Sequence, residues 1–316
     1  MIKNRRSFIT GLNSTVLQPR EKKFLNKYKP WGIILFSRNI KTIGQTKRLT
    51  DEIRKIFKDS KYPILIDQEG GRISRINSIL ETSSFSADFF GKLYKKSIQK
   101  FKIYQQIFIK QNSYLLNNLG ININTVPVLD VKYKKTSHII GDRAFSSDPR
   151  IISKIGDYCI KKYHENRIGT VMKHIPGHGL AKVDSHKFTP TVKKKINYLN
   201  KMDFLTFQNK KSLFAMTAHI IYLDIDKVFT VTHSKKMIKL IRNKINFKNL
   251  LISDDISMKA LKFSIKKNTS MAFEAGCNLV LHCNGNYSEM ITVAKNSPKV
   301  SEFIVKKTSQ FYKILS

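Results

Sequence analysis

The chain has 316 residues, with 58 lysines and arginines against 22 aspartates and glutamates, a formal net charge of +36. Its 41% hydrophobic content is enough to bury a core, which excludes a solvated polybasic tail. No apolar run reaches the roughly 18 to 20 residues that a spanning helix needs, and the apolar stretch near the N-terminus breaks at Thr10 and Gly11, too soon for a secretory signal. Cys159, Cys277 and Cys283 are odd in number and form no CxxC pair, which argues against a disulfide framework or a structural zinc site and for a reducing, cytoplasmic compartment.

In chain order, short β-branched or apolar runs at 7–12, 31–36, 63–67, 121–128, 169–174, 212–218, 249–254 and 277–283 read as strands. Between most of them lie stretches with helical periodicity, for instance around 46–57, 102–119, 150–166 and 234–243. Eight strands with interposed helices predict an α/β protein, a (β/α)8 TIM-type barrel forming one catalytic domain over residues 1–316. The alternative is a doubly wound open sheet, but Ser7 to Thr15 carries no GxGxxG fingerprint.

The lysines are scattered through every segment and arginine is the rarer cation, which speaks against specific nucleic-acid readout. Joint enrichment of Lys, Asn, Ile, Phe and Tyr is what codon drift in an AT-rich genome produces. An even spread of lysine over the surface would support drift. A collar around the reactive groups would support electrostatic steering of an anionic substrate.

Polar residues close most of the strand segments: Ser37, Arg38 and Asn39; Asp67, Gln68 and Glu69; Asp130; Lys173 and His174; His219; Asp254 and Asp255; His282 to Asn284. A barrel directs strand C-termini to one mouth, so these groups are expected to converge there. In KHIPGHG (173–179) the spacing of His174 and His178 invites a metal reading, yet Pro176, Gly177 and Gly179 disfavour the helix that an HxxxH zinc pair needs. A loop-built cluster of His174, His178, Asp184 and His186 is the metal-dependent alternative. Those glycines suit a hinged, mobile loop, with Asp184 and His186 able to form an acid/histidine dyad at its tip.

Four stretches, LIDQEGGRISR (65–75), PVLDV (127–131) with IGDRAFSSDP (140–149), KHIPGHGLAKVDSH (173–186) and ISDDISM (252–258), together resemble glycoside hydrolase family three, specifically its single-domain bacterial β-N-acetylhexosaminidase branch. Weaker agreement at 32–39, 216–222 and 274–284 extends the resemblance over nearly the whole chain. The resemblance implies a retaining exo-β-N-acetylglucosaminidase of peptidoglycan recycling. Asp254 would be the nucleophile and His186, supported by Asp184, the general acid/base. An ordinary histidine pKa of about 6.5 suits a group that gives a proton in one half-reaction and takes one in the next.

Asp67, Arg75, Arg143, Lys173 and His174 match the family's sugar-binding set. The competing role for either arginine is to brace loops through Asp67, Asp142 or Asp148. Adjacent Asp255 leaves a substrate-assisted route as the alternative to direct attack by Asp254. Arg38 and His219 are further candidates for the pocket lining, and Cys277 and Cys283 are expected in the core or at the rim. No cofactor and no metal is implied. The expected partner is a small carbohydrate or muropeptide substrate, with no specific nucleic acid, no membrane and a monomeric state. Transfer to phosphate in place of water, or a basic nucleic-acid-binding scaffold, stay open on the sequence.

Overall fold

The computed structural model describes residues 2–134, 139–185 and 188–316. All eight strand segments form. In chain order the strands are β1 (Arg6–Gly11), β2 (Pro30–Leu35), β3 (Ile64–Ile66), β4 (Ile123–Asn124), β5 (Gly169–Ile175), β6 (Thr191–Val192), β7 (Phe214–Thr217), β8 (Ile221–Tyr222), β9 (Leu250–Asp255) and β10 (Leu279–His282). β6 and β8 make a separate parallel pair that the sequence reading did not anticipate. The other eight close into a barrel in the order β1-β2-β3-β4-β5-β7-β9-β10, all pairs parallel. The expected α/β TIM-type barrel is therefore the observed fold. The run at 121–128 yields only the two residues of β4, because Pro127 has no N–H to give to a ladder.

The helices are α1 (Pro19–Tyr28), α2 (Ile43–Phe57), α3 (Ala87–Lys96), α4 (Ile98–Asn118), α5 (Pro149–Glu165), α6 (Ile196–Lys201), α7 (Lys235–Asn243), α8 (Ile265–Ala275), α9 (Tyr287–Asn296) and α10 (Glu302–Ile314). Most begin where a short polar side chain accepts a backbone N–H of the first turn: Thr42, Ser86, Ser97, Asp148, Ser234, Ser264, Asn286 and Ser301. Each such cap is worth about 1 kcal/mol. Among the described residues no helix is long and apolar enough to cross a membrane.

Two apolar layers hold the barrel. Outward-facing strand residues such as Phe8, Met172, Ala215 and Leu251 pack under the helices. Inward-facing Ile9, Trp31, Leu65, Ile123, Val171, Phe214, Leu250 and Leu279 fill the interior with Phe311 and Ile304 of α10. Helix α10 thereby closes the N-terminal end. The Trp31 indole donates to Thr308 Oγ1 at 2.8 Å, and the Phe214 and Phe311 rings meet edge to face at 5.6 Å.

Candidate active site

The period of two along a strand places the first polar residues above that apolar interior. Leu65, Ile123, Val171 and Ile252 point inward, so the next inward positions are Asp67, Thr125, Lys173 and Asp254. All four line a cleft of about 210 Å³ at the C-terminal mouth, together with Arg75, Arg143, His174, His178 and Ser185 and an apolar floor of Ile34, Met216 and Leu281. Two register irregularities bring a further residue to the same mouth. β5 uses Lys173 to Ile175 where β7 uses Met216 to Thr217, and β9 advances from Ile252 to Asp255 while β10 advances from Leu279 to Leu281. An extra residue on one strand re-aims its neighbours. His174 and Asp255 therefore border the cleft beside Lys173 and Asp254, although plain alternation sends adjacent side chains to opposite faces.

One side of the cleft is a cluster of two carboxylates and three cations. Asp67 accepts from Arg75 Nη2 at 3.0 Å and Thr125 Oγ1 at 2.7 Å, and is in contact with the Lys173 ammonium. Glu69 is gripped by both arms of Arg143, at 2.8 and 2.7 Å, and lies 2.6 Å from Lys173 Nζ. Burial alone would raise both carboxyl pKa values. For Asp67 it is outweighed by Lys173, Arg75 and Arg143, and for Glu69 by Arg143 and Lys173, so both are held below their ordinary range. Glu69 in turn keeps the buried Arg143 guanidinium charged against the cost of its own burial.

Both arginines are ion-paired. Arg143 has chosen Glu69, while Asp142 is bound by Arg72 at 2.7 Å and Asp148 caps α5. Glu69 was visible among the polar residues that end β3 but received no role in the sequence reading. Its signal was its position two residues after Asp67, within a Gly-rich turn that carries it back over the mouth.

His174 and His178 are organised by Asp130, a fully buried carboxylate that the sequence reading named only as a strand end. Asp130 takes the His174 ring Nδ1 at 2.7 Å, the His174 amide at 3.2 Å and the His178 amide at 2.7 Å. With Nδ1 engaged, Nε2 is the edge of His174 left without a partner among the described residues. The His178 ring sits 3.2 Å from Ser185 Oγ, and burial with the neighbouring His174 lowers its pKa to about 4, so it stays neutral. Among the described residues no three His, Cys, Asp or Glu side chains form a group able to hold a metal ion. His186, the fourth member of the postulated metal cluster and the postulated acid/base, lies outside the described residues.

Its neighbours are placed. Ser185 lines the cleft, its carbonyl accepts the Ala260 amide at 3.1 Å, and Asp184 accepts the Phe188 amide on its own carbonyl at 2.8 Å. The chain around Asp184 is thus docked on the segment that follows β9.

The glycines before it are not hinges. A Cβ on Gly179 would stand 1.9 Å from the Val131 carbonyl oxygen, and one on Gly177, at φ +142°, would stand 2.7 Å from Asp203 Cβ. Both are buried and selected for close approach. Asp203 beneath Gly177 is itself fully buried. Its Oδ2 accepts the Tyr133 hydroxyl at 2.8 Å, while Oδ1 has no partner among the described residues. Burial pushes its pKa up to about 7; the Tyr133 hydrogen bond opposes this and the charge of Asp130 adds to it.

The two adjacent aspartates of β9 differ. Asp255 accepts from Ser257 N at 3.0 Å, Ser257 Oγ at 2.9 Å and Cys283 N at 3.3 Å, and so ties down the turn beyond the strand. Asp254 accepts one hydrogen bond among the described residues, the Asp255 amide at 2.8 Å. Burial works against its charge, yet His219, His174, that amide and Lys173 hold its pKa below the ordinary value. It is an ionised carboxylate with open coordination, facing the cleft.

Convergence of the strand-end groups is only partial. His219 does not line the cleft; it is locked between Thr232 Oγ1 at 2.7 Å and the Asp255 carbonyl at 3.0 Å, behind Asp254. Arg38 holds the Leu12 carbonyl at 2.8 Å and also binds the Cys283 carbonyl, and Asn39 holds the carbonyls of Leu12 and Ser14. His282 and Asn284 both bind Glu289 at the start of α9. These residues brace loops. Cys159 and Cys277 are buried, which lifts both thiols to about 12, and Cys283 sits at the cleft rim, where burial and the nearby Asp255 and Asp254 raise its thiol well above the ordinary value. Lysines occur on every helix from α1 to α10, while among the described residues Lys173 is the only lysine lining the cleft. Over the described residues that spread matches compositional drift and not a collar.

Comparison with known proteins agrees with this geometry. A model described as the glycosyl hydrolase family 3 N terminal domain matches residues 9–309. The chain is 33% identical over 284 residues to a beta-hexosaminidase of Hydrogenovibrio crunogenus, covering 87% of this chain and 78% of that protein. It is 30% identical to beta-hexosaminidase A of Pseudoalteromonas piscicida over 84% of this chain, but spans only 48% of that longer protein. Native NagZ from Neisseria gonorrhoeae superposes with a TM-score of 0.87 at 25% identity, over 98% of this chain and 90% of that one.

Proposed function

From the premise that the chain belongs to glycosyl hydrolase family 3, and is a glycoside hydrolase, we propose that it is a retaining exo-β-N-acetylglucosaminidase acting through a covalent glycosyl-enzyme on Asp254. The observation that carries this reading is the contrast within β9: Asp255 is spent on a turn, and Asp254 is charged and open to the cleft. A retaining enzyme needs such an anion below the anomeric carbon, where an oxocarbenium-like centre develops. The same contrast disfavours the substrate-assisted route, which needs both adjacent acids at the sugar, one of them holding the 2-acetamido group, whereas Asp255 is engaged by its turn.

In the first half-reaction Asp254 attacks the anomeric carbon while His186 protonates the departing glycosidic oxygen. In the second, neutral His186 takes a proton from water, which releases the sugar from Asp254. Asp184 orients the His186 ring and stabilises its cation. Asp67, with its arginine and lysine partners already in place, supplies acceptors for sugar hydroxyls, and Arg143, Lys173 and His174 supply donors. Because Asp67 and Glu69 hold the arginines and Lys173, and Asp130 holds His174, before any sugar arrives, little side-chain ordering is left to binding. A cleft of about 210 Å³ is below the usual range of roughly 300–1,000 Å³ for drug-sized ligands, which favours one terminal sugar and hence exo action. We assign the natural substrate to GlcNAc-bearing anhydromuramyl peptides of wall recycling, in the cytoplasm, on the family resemblance and the three free thiols.

Asp254→Ala should lower turnover of p-nitrophenyl β-GlcNAc by on the order of 10³-fold or more, as loss of an essential group in covalent catalysis does. A 2-fluorinated sugar should leave an adduct on Asp254 detectable by mass spectrometry. Undiminished turnover sinks the assignment, and turnover without any adduct returns the substrate-assisted route. Product analysis with and without phosphate separates hydrolysis from phosphorolysis.

A further inference from the structure

We propose that the outer face of α4 is a docking surface for an anionic lipid bilayer. The helix is apolar on two opposite sides. Phe101, Gln105, Phe108, Ile109, Asn112, Leu115 and Leu116 are buried toward the barrel. On the opposite side Lys100, Ile103, Ile107, Lys110 and Tyr114 follow one another at spacings of three, four, three and four, a single stripe within an arc of about 80°. Ile103, Ile107 and Tyr114 are 52%, 49% and 72% exposed, with Tyr104 beside them at 52%. Of the exposed large apolar side chains among the described residues, Ile103, Tyr104, Ile107 and Tyr114 lie together on this one face of α4, a patch and not scatter.

Charge identifies the occupant. Between Asp88 and Asp130 there is no acidic residue, while Lys92, Lys95, Lys96, Lys100, Lys102 and Lys110 all fall there. Lys92 pairs with Asp88; the other five have no ion pair among the described residues. Such a surface repels its own copy. It offers no arginine fork for reading phosphates on a nucleic acid, and the apolar stripe has no use there. Isoleucines that enter the acyl boundary, tyrosine at headgroup level and lysines whose stems lie along the apolar surface are the composition of an interfacial helix.

At 21 residues α4 lies along the flank of the barrel for about 30 Å, so attachment there leaves the mouth accessible from the side. The absence of a spanning run in the sequence predicts no membrane partner, but a helix that lies on the surface needs no such run. Even codon drift toward Ile and Lys does not place both on one stripe opposite a buried face.

A net charge of +36 alone draws the chain to anionic vesicles, so the test leaves that charge unchanged. The triple variant Ile103→Ser, Ile107→Ser, Tyr114→Ser is compared with the parent by co-sedimentation with vesicles of phosphatidylglycerol and phosphatidylcholine at physiological salt. The parent should bind, and the variant should bind roughly tenfold or more weakly while keeping its melting temperature and its p-nitrophenyl β-GlcNAc turnover. As a second readout, the added indole in Ile107→Trp should be quenched by brominated lipids in those vesicles, whereas buried Trp31 is not. Equal binding by parent and triple variant overturns the proposal, as does an unquenched Ile107→Trp. Self-association of the parent that the triple variant abolishes would assign the face to a second copy instead, and overturn it too.

Discussion

Replacing Asp203 by asparagine should change the pH dependence of stability in a defined direction. In the folded chain the carboxyl is fully buried with one oxygen unpartnered among the described residues, and its pKa is pushed up to about 7 from an ordinary 3.8. The groups around it are the Tyr133 hydroxyl, which it accepts, and the Asp130 and Tyr222 side chains nearby. Below pH 4 both folded and unfolded chains hold the proton. Between about 4 and 7 the unfolded chain has released it and the folded chain has not, so stability falls as pH rises. Above 7 both have lost it and the full cost stands. At about 1.4 kcal/mol per pKa unit, that cost is roughly 4 kcal/mol, a ceiling because a buried carboxylate relaxes toward water.

Asp203→Asn is neutral at every pH, and its amide oxygen still accepts from Tyr133. Urea unfolding followed through Trp31, the single tryptophan and a buried one, gives both stabilities at pH 4 and pH 8. The variant should gain on the parent by up to roughly 4 kcal/mol between those values, the subtraction removing every group common to both. Parallel profiles would refute the reasoning, because they would mean that Asp203 ionises in the fold as it does in the unfolded chain.

Among the described residues, Glu69→Gln leaves Arg143, 10% exposed, without its ion-pair partner and Lys173, 3% exposed, paired with Asp67 alone. Breaking a buried pair from one side costs about 3 to 5 kcal/mol, so a lower denaturation midpoint together with a raised KM is expected. An unchanged KM would mean that Arg143 is not held for the substrate. Gly179→Ala drives a Cβ into the Val131 carbonyl, next to Asp130. Overpacking of this kind costs about 1 to 3 kcal/mol, and kcat should fall with stability as the Asp130–His174 contact shifts. A variant as stable and as fast as the parent would show that the Val131 segment yields freely.

Short apolar runs alternating with stretches of helical periodicity made the barrel legible, and its strand phase follows a period of two. Leu65 with Asp67, Val171 with Lys173 and Ile252 with Asp254 each repeat an apolar residue followed two positions later by an inward polar one, and length did the rest. The register irregularities at His174 and Asp255 were not legible, since a one-residue slip leaves no mark in hydropathy. The division between cleft residues and braces was likewise hidden. His219 and Asp254 are alike as polar ends of neighbouring strands. Only the partner each finds in space, Thr232 for one and open cleft for the other, separates them. Gly177 and Gly179 read as flexibility because glycine permits it. The structure uses their missing side chains, since Asp203 and the Val131 carbonyl fill the space.

Asp67, Lys173 and Asp254 stand one step above a ring of Leu65, Ile123, Val171 and Ile252, so their place at the mouth is encoded in strand phase more than in loop length. A single-residue insertion within β9 would swing Asp254 outward and bring Ser253 to the mouth. The same insertion in the turn that enters the strand would leave both in place. Lineages of this barrel are therefore free to lengthen or shorten the connections at its closed end, beneath α10, while the strands that carry Asp67, Lys173 and Asp254 must keep the two-residue step from apolar ring to working side chain.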